Sequence, residues 1–254
     1  MSNERPADDV SDPAERDFER LVRAWAEDPD LEGELVHSRV VRGHPARFSD
    51  LAAPLPGALV ARLADRGVAR LYDHQTRAIE HIRSGRHTVL VSGTASGKTL
   101  CYQIPIAERI LEQPKSTALL LFPTKALAQD QMRSFGQLRI PGLNVATYDG
   151  DTPPDQRASI RRAANVIFTN PDMLHFGILP NHGKWAEFFL RLRYVVVDEM
   201  HVLRAMFGSH TSMILRRLRR IAAHYGAQPT FVFASATIGN PADLAHRLSG
   251  LDRD

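Results

Sequence analysis

Ser92-Gly-Thr-Ala-Ser-Gly-Lys-Thr99 comes after an apolar run, Thr88-Val-Leu-Val91, and leads into a helix-forming stretch from Leu100 onward. Strand, glycine-bearing turn and helix in that order predict a phosphate-binding loop. The backbone N–H groups of such a loop, with the positive end of its helix, cradle phosphate oxygens. Nucleotide contacts are therefore expected at Ser92, Gly93, Thr94, Ala95, Ser96, Gly97, Lys98 and Thr99. Lys98 is placed to reach the β/γ-phosphates, and the Thr99 hydroxyl to hold Mg²⁺. The strict pattern asks for glycine where this chain has Ser92, with Gly93 beside it.

A second run, Tyr194-Val-Val-Val-Asp-Glu-Met-His201, ends a buried-type strand in two adjacent carboxylates. Asp198 can take the metal side, and Glu199 can orient or deprotonate the attacking water. The two runs together predict a site for ATP and Mg²⁺. The plain alternative is a Gly/Ser-rich turn before an amphipathic helix, and the downstream Asp-Glu pair weighs against it.

Composition narrows the class. The 254 residues suffice for one sizeable α/β domain plus an extension, and 43% hydrophobic content supports a packed core. A net charge of +3 favours an anionic partner only weakly. The single Cys101 excludes an intrachain disulfide framework and reads as a small buried hydrophobe one turn into the helix. The histidines lack metal-ligand spacing. No apolar run approaches the ~18 residues of a membrane span, and the acidic start is unlike a signal peptide. A cytoplasmic location is expected, nucleoid-associated if the source is bacterial.

Residues 1–68 read as an accessory, partly helical N-terminal extension. Its expected features are a polar start, a charged helix from Pro13 to about Ala26, a short strand at Val36–Val41 and a helix ending near Gly67. Residues 69–254 alternate helices with short apolar runs at Thr88–Val91, Ala118–Phe122, Val145–Tyr148, Val166–Thr169, Tyr194–Val197 and Thr230–Ala234. Runs apolar on both faces, alternating with helices, predict an α/β fold with a mostly parallel sheet flanked by helices. Ligands bind at the carboxyl ends of strands in such sheets, and each motif falls at such an end.

The motifs form an ordered series. Tyr72-Asp-His-Gln75, Ser92–Thr99, Pro123-Thr-Lys-Ala-Leu-Ala128, Tyr148-Asp-Gly-Asp-Thr152, Thr169-Asn-Pro-Asp-Met-Leu174, Asp198-Glu-Met-His201 and Ser235-Ala-Thr237 resemble the first RecA-like domain of superfamily 2 DEAD/DEAH-box-type helicases. More narrowly, Phe207-Gly-Ser-His210 with Leu215-Arg-Arg-Leu-Arg-Arg220 after it is similar to the YprA/MrfA-like DNA helicases. That group includes the mitomycin repair factor and the fungal relatives of the fourth RecQ protein.

The resemblance carries specific expectations. Gln75 has the spacing of the Q motif, where a primary amide can read adenine by donating and accepting at one base edge. His201, Ser235 and Thr237 are expected to couple the nucleotide site to strand separation, with His201 hydrogen-bonding Ser235 or Thr237. Met200 departs from the usual Ala or Val without touching that chemistry. Pro123, Thr124 and Lys125, and then Thr169 and Asn170, stand where related enzymes track one nucleic-acid strand through its phosphates. Helix capping by the same residues is compatible with that role. Asp149 and Asp151 read as turn residues without chemistry. In the helix from about Ser209 to Tyr225, the arginines Arg216, Arg219 and Arg220 could bind a phosphate backbone or form a solvated face, and the solvated face is the favoured reading.

Related helicases bind nucleotide between two RecA-like domains, the second of which supplies arginines to the site. The residues after Ser235-Ala-Thr237 are expected to leave no room for that domain. The sequence therefore reads as the ATP-binding half of an ATP-dependent DNA helicase acting on single-stranded or partly duplex DNA, with the second RecA-like domain as its missing partner. The resemblance implies 3′-to-5′ movement and a repair role. A DEAD-box-type RNA helicase domain and a non-catalytic ATP- or nucleic-acid-binding regulatory module are the alternatives.

Overall fold

The structure is a computed structural model that describes residues 13–31, 34, 36, 37, 46–93 and 96–252. The polar start before Pro13, and most of the strand expected at Val36–Val41, lie outside the described residues. The chain divides into two compact units, Met1–Ala46 and Arg47–Asp254. The described residues of the first include α1 (Pro13–Glu27), followed by a 3-10 turn at Pro29–Leu31.

The second unit begins with α2 (Gly57–Asp65), α3 (Asp73–Arg83), β1 (Thr88–Val91), α4 (Lys98–Glu112), β2 (Thr117–Leu121) and α5 (Lys125–Gly136). It continues through β3 (Val145–Thr147), α6 (Pro154–Ala163), β4 (Val166–Thr169), α7 (Pro171–Met173) and α8 (Ala186–Leu190). It closes with β5 (Leu192–Val197), α9 (Ala205–His224), β6 (Thr230–Ser235) and α10 (Pro241–Ser249). Residues 47–68, read from sequence as part of the extension, belong to this unit: Leu59 and Leu63 of α2 are buried in the same core as the sheet.

The six strands form one parallel sheet in the order β1-β6-β5-β2-β4-β3. Side chains alternate between the two faces of a strand, so an apolar residue at every position requires cover on both. Leu120, Val196 and Val232 pack on one face with Ile79, Ile104 and Phe135 of α3, α4 and α5. Leu119, Val195, Val197 and Phe231 pack on the other with Phe189, Leu215, Leu218 and Leu248 of α8, α9 and α10. Each fully buried side chain of this kind contributes roughly 1.5–3 kcal/mol relative to exposure. The sheet is thus held from both sides, and its strand ends are rigid mounts for loops.

Two details of the second face refine the sequence reading. Helix α9 begins at Ala205, four residues before the expected start, and buries Ile214 and Leu218. Gly208 cannot be larger, because a Cβ there would lie 2.6 Å from the carbonyl oxygen of Leu203. That close approach seats the start of α9 against the turn after Asp198-Glu199.

Candidate nucleotide site and its flanking loops

Strand β1 ends at Val91 beside Ser235 of β6, and the Ser92 N–H donates to the Ser235 carbonyl at 3.5 Å. The phosphate loop leaves from this point. Thr94 and Ala95, at its crown, lie outside the described residues. The Ser92 and Ser96 hydroxyls are 2.5 Å apart, so the serine that replaces glycine spans the base of the loop. Lys98 Nζ donates to the carbonyls of Ser92 and Gly93, each at 2.8 Å.

Gly97 is confined on two counts. Its φ of +75° is left-handed, and a Cβ there would stand 2.4 Å from Nε2 of Gln75. Gln75 itself is 2% exposed. Its Oε1 accepts from the Tyr72 N–H at 3.0 Å, and its Nε2 donates to the Gly97 carbonyl at 3.1 Å. The amide read from sequence as an adenine reader therefore ties the start of α3 to the phosphate loop through its own backbone bonds. His74 adds a second tie, Nε2 to the Ser96 carbonyl at 3.0 Å. Beside it the rings of Phe48, Tyr72 and His74 are stacked, with Phe48 and Tyr72 each 40% exposed. No sequence signal marked this stack, because Phe48 is far from Tyr72 in the chain and meets it through an isolated antiparallel bridge.

Asp198 stands at the end of β5, 7% exposed, its N–H donating to the Leu121 carbonyl. Both carboxylate oxygens are oriented: Oδ1 accepts from the Glu199 N–H at 2.8 Å, and Oδ2 from the Tyr102 hydroxyl at 2.8 Å. Burial first, and then the negative charge of Asp198, push the Tyr102 phenol well above its ordinary pKa, so it remains a donor. Thr99, the other expected metal-side residue, also acts on this phenol. Sequence reading missed Tyr102, which within α4 looks like any core aromatic.

The chain turns sharply at Glu199, whose φ of +52° is unusual for a residue with a side chain. The turn brings the Glu199 carboxylate within 3.2 Å of Nδ1 of His201. The same nitrogen lies 3.4 Å from the backbone nitrogen of Ala236. The two contacts are alternatives: neutral Nδ1 accepts from Ala236, whereas protonated Nδ1 donates to Glu199. His201 was expected to bond Ser235 or Thr237, and the bond goes instead to the backbone between them. Ser235 is fully buried with its hydroxyl donating to the Ala236 carbonyl, and Thr237 is exposed.

A cavity of about 870 Å³ unites these parts. It is lined by Ser96–Thr99, Asp198, Glu199, His201 and Ala236, and by Pro123 and Thr124 from the start of α5. Its residues fit a hydrated divalent cation with phosphates. Asp198 and the Thr99 hydroxyl offer hard oxygen donors, and each Asp198 oxygen keeps lone pairs beyond its one hydrogen bond.

Past the cavity, the loops expected to meet nucleic acid divide. The Thr124 hydroxyl caps α5 by accepting from the Leu127 N–H at 3.3 Å, and both Thr124 and Lys125 are exposed. Lys125 Nζ is ion-paired with Asp151 at 2.8 Å. That Asp is presented by a built turn, in which the buried Asp149 accepts from the Asp151 N–H at 2.9 Å. Asp151, assigned no chemistry from sequence, is thus the partner of Lys125. Asn170 caps α7 through the Met173 N–H at 2.8 Å. Thr169 does not reach the surface: it is fully buried, and its hydroxyl donates to the Tyr148 carbonyl at 2.6 Å. Its side chain cannot meet a phosphate from there.

Comparison with known proteins places this arrangement. The DEAD/DEAH box helicase family model matches residues 72–244. The chain is 42% identical over 226 residues to the ATP-dependent helicase YprA of Bacillus subtilis, covering 87% of this chain and 30% of that protein. It is also 42% identical over 245 residues to the ATP-dependent helicase hrq1 of Schizosaccharomyces pombe, covering 92% of this chain and 23% of that protein. Among solved structures, the DUF1998 helicase MrfA bound to DNA and AMPPNP superposes with a TM-score of 0.80 at 42% identity, over 83% of this chain and 30% of that one. The chain thus spans less than a third of the length of each of these relatives. From the phosphate loop to Ser235-Ala-Thr237, its cavity and sheet are those of one helicase domain, and the chain belongs to the DEAD/DEAH box helicase family.

Proposed function

We propose that this chain is the ATP-binding half of an ATP-dependent DNA helicase, coupling hydrolysis of Mg²⁺-ATP to 3′-to-5′ movement on DNA during repair in the cytoplasm. The single observation that carries this reading is the shared cavity. It brings Lys98, Thr99, Asp198 and Glu199 together with His201, which is bonded to the Ala236 backbone, and with the exposed start of α5. The similarity to MrfA, a structure that holds DNA and AMPPNP, supports DNA over RNA as the polymer.

In this reading the loop N–H groups and Lys98 hold the phosphates, Lys98 exchanging the carbonyls of Ser92 and Gly93 for phosphate oxygens. The exposed Phe48–Tyr72 stack offers a face for the base. Thr99 and Asp198 would hold Mg²⁺, which would supply positive charge against the phosphates. Glu199 accepts the proton of the attacking water, and its carboxylate is shared with His201. That histidine reports the state of the site to Ala236 and so to the Ser235-Ala-Thr237 turn. Thr124, Lys125 and Asn170 position the DNA backbone without reading its sequence. A second RecA-like domain completes the nucleotide site with arginines.

The test is ATP hydrolysis by this chain alone and joined to a second RecA-like domain, with single-stranded DNA or RNA added. Turnover is expected to be near zero alone and to be stimulated by DNA in the longer chain. Stimulation by RNA in preference to DNA would replace the polymer assignment. Tight ATP binding without turnover in either form would make the chain a regulatory module.

A further inference from the structure

The end of the sheet opposite the nucleotide cavity carries another cavity, of about 700 Å³. It lies where β1 and β6 begin, against Gly85, His87, Thr230 and Phe231, and along the second half of α9. Strand β6 has six residues, so its two ends are about 17 Å apart at ~3.3 Å per residue. The site is therefore separate from the cavity around Lys98, and its assignment does not rest on the reading of that cavity.

Its chemistry is one-sided. Arg216, Arg219 and Arg220 line it together with His87, and no carboxylate is among the lining residues. The imidazole of His87 has its pKa lowered by burial and then by the positive charge of Arg219. Two of the three guanidiniums are already oriented. Arg219 donates to the carbonyls of Ser249 and Gly250 at 3.0 and 2.7 Å. Arg216 is held by the Ser212 hydroxyl and the Arg247 carbonyl, and Gly250 packs so closely that a Cβ would stand 2.7 Å from Nη1. Arg220 makes no hydrogen bond or ion pair with any described residue, which leaves its planar fork of donors for a ligand.

Helix geometry sets the spacing. Residues 216, 219 and 220 lie on one face of α9 and span about 6 Å of its axis at 1.5 Å per residue. One strand of DNA advances ~3.4 Å of its axis per phosphate, so the row spans just under two phosphate-to-phosphate steps. Arginine forks bind phosphate oxygens two at a time. We propose that this cavity is a second phosphate site, distant from ATP, that grips the backbone of nucleic acid.

The experiment is anisotropy of labelled single-stranded and duplex DNA with the full chain across a salt series, comparing Arg220→Glu and Arg220→Gln. Arg220 holds no structural contact, so both variants are expected to melt with the unmodified chain. Arg220→Glu is expected to weaken DNA binding on the order of tenfold and to reduce the salt slope by about one. Arg220→Gln, which keeps the length and loses the charge, is expected to fall between. Unchanged affinity and slope in both variants overturn the proposal. So does a glutamate-rich peptide that binds the chain and is lost in Arg220→Glu while DNA affinity stays level. A third arm titrates pyrophosphate against Lys98→Ala protein, in which the phosphate loop is silenced. A thermal shift there that Arg220→Glu abolishes, with DNA binding untouched, would assign the cavity to a free phosphate and overturn the backbone reading.

Discussion

The hydroxyl of Tyr102, one turn into the helix after the phosphate loop, donates a 2.8 Å hydrogen bond to Oδ2 of Asp198, at the end of a strand on the far side of β6. The two ends of the nucleotide site are thereby locked to each other beneath the cavity floor. Hydrogen bonds to a charged group contribute about 1.5–3 kcal/mol. Tyr102→Phe keeps the packing and removes only this bond. Urea unfolding is expected to show a loss in that range, with weaker Mg²⁺ dependence of nucleotide binding. Unaltered Mg²⁺ dependence would confine Tyr102 to stability.

Gly97 is expected to tolerate no side chain. Gly97→Ala places a Cβ against Nε2 of Gln75 and forces a left-handed alanine, which alone costs roughly 1–2 kcal/mol. Melting temperature and ATP affinity should both fall. Adding Gln75→Ala removes the clash but leaves the backbone strain, so the double variant should recover in part. Full recovery would mean that the left-handed backbone costs nothing here.

Lys98→Ala is expected to weaken nucleotide binding about 10- to 100-fold, the value of losing a charge-assisted bond to phosphate. Calorimetry with a non-hydrolysable nucleotide measures it. Glu199→Gln, in a chain with its second domain, should bind ATP normally and hydrolyse it about 10²–10⁴-fold more slowly. Normal turnover in that variant would remove Glu199 from the role of base.

Thr169 and Asp151 exchange the parts that their positions in sequence suggest. Thr169→Val loses a buried hydrogen bond to Tyr148 and is expected to cost about 1 kcal/mol of stability, with DNA affinity unchanged. Asp151→Asn releases Lys125, whose pKa its hydrogen bond and charge raise, and should tighten DNA binding at low salt. A fall in DNA affinity with either substitution would reverse this assignment.

Burial pushes the Cys101 thiol up from about 9 to about 12. The folded chain therefore keeps its proton where the unfolded chain loses it. Because the folded pKa is the higher one, the folded state is favoured fully below pH 9, and that advantage is lost progressively between pH 9 and 12. Alkylation of Cys101 at about pH 8, where a free thiol begins to ionise, is expected to track unfolding, and its rate should rise with urea. Rapid alkylation of the native chain would contradict the burial.

What was legible in the sequence was whatever depends on local pattern. The six apolar runs became the six strands within one or two residues, because strands covered on both faces, as β2, β4 and β6 are throughout, read as near-continuous apolar runs. Lys98, Thr99, Asp198 and Glu199 gather in one cavity because the segment after β1 that leads into α4 and the turn after β5 both lie at the carboxyl ends of strands, where such sheets place ligands. The boundary of the accessory segment was less legible. The apolar face of α2 does not state whether it packs on the sheet or elsewhere, and Leu59 and Leu63 settle it only through their neighbours.

The sequence by itself determined the α/β order, the phosphate loop, the acidic pair and the series of motifs, since each is written in contiguous residues with fixed period or spacing. Only the tertiary structure decided where single polar groups point. It turned the Gln75 amide onto Gly97, buried the Thr169 hydroxyl, paired Lys125 with Asp151 and joined Tyr102 to Asp198. The physical reason is range. Backbone periodicity is set by neighbours along the chain, whereas a buried polar atom must be satisfied by whatever partner the completed packing brings within about 3 Å.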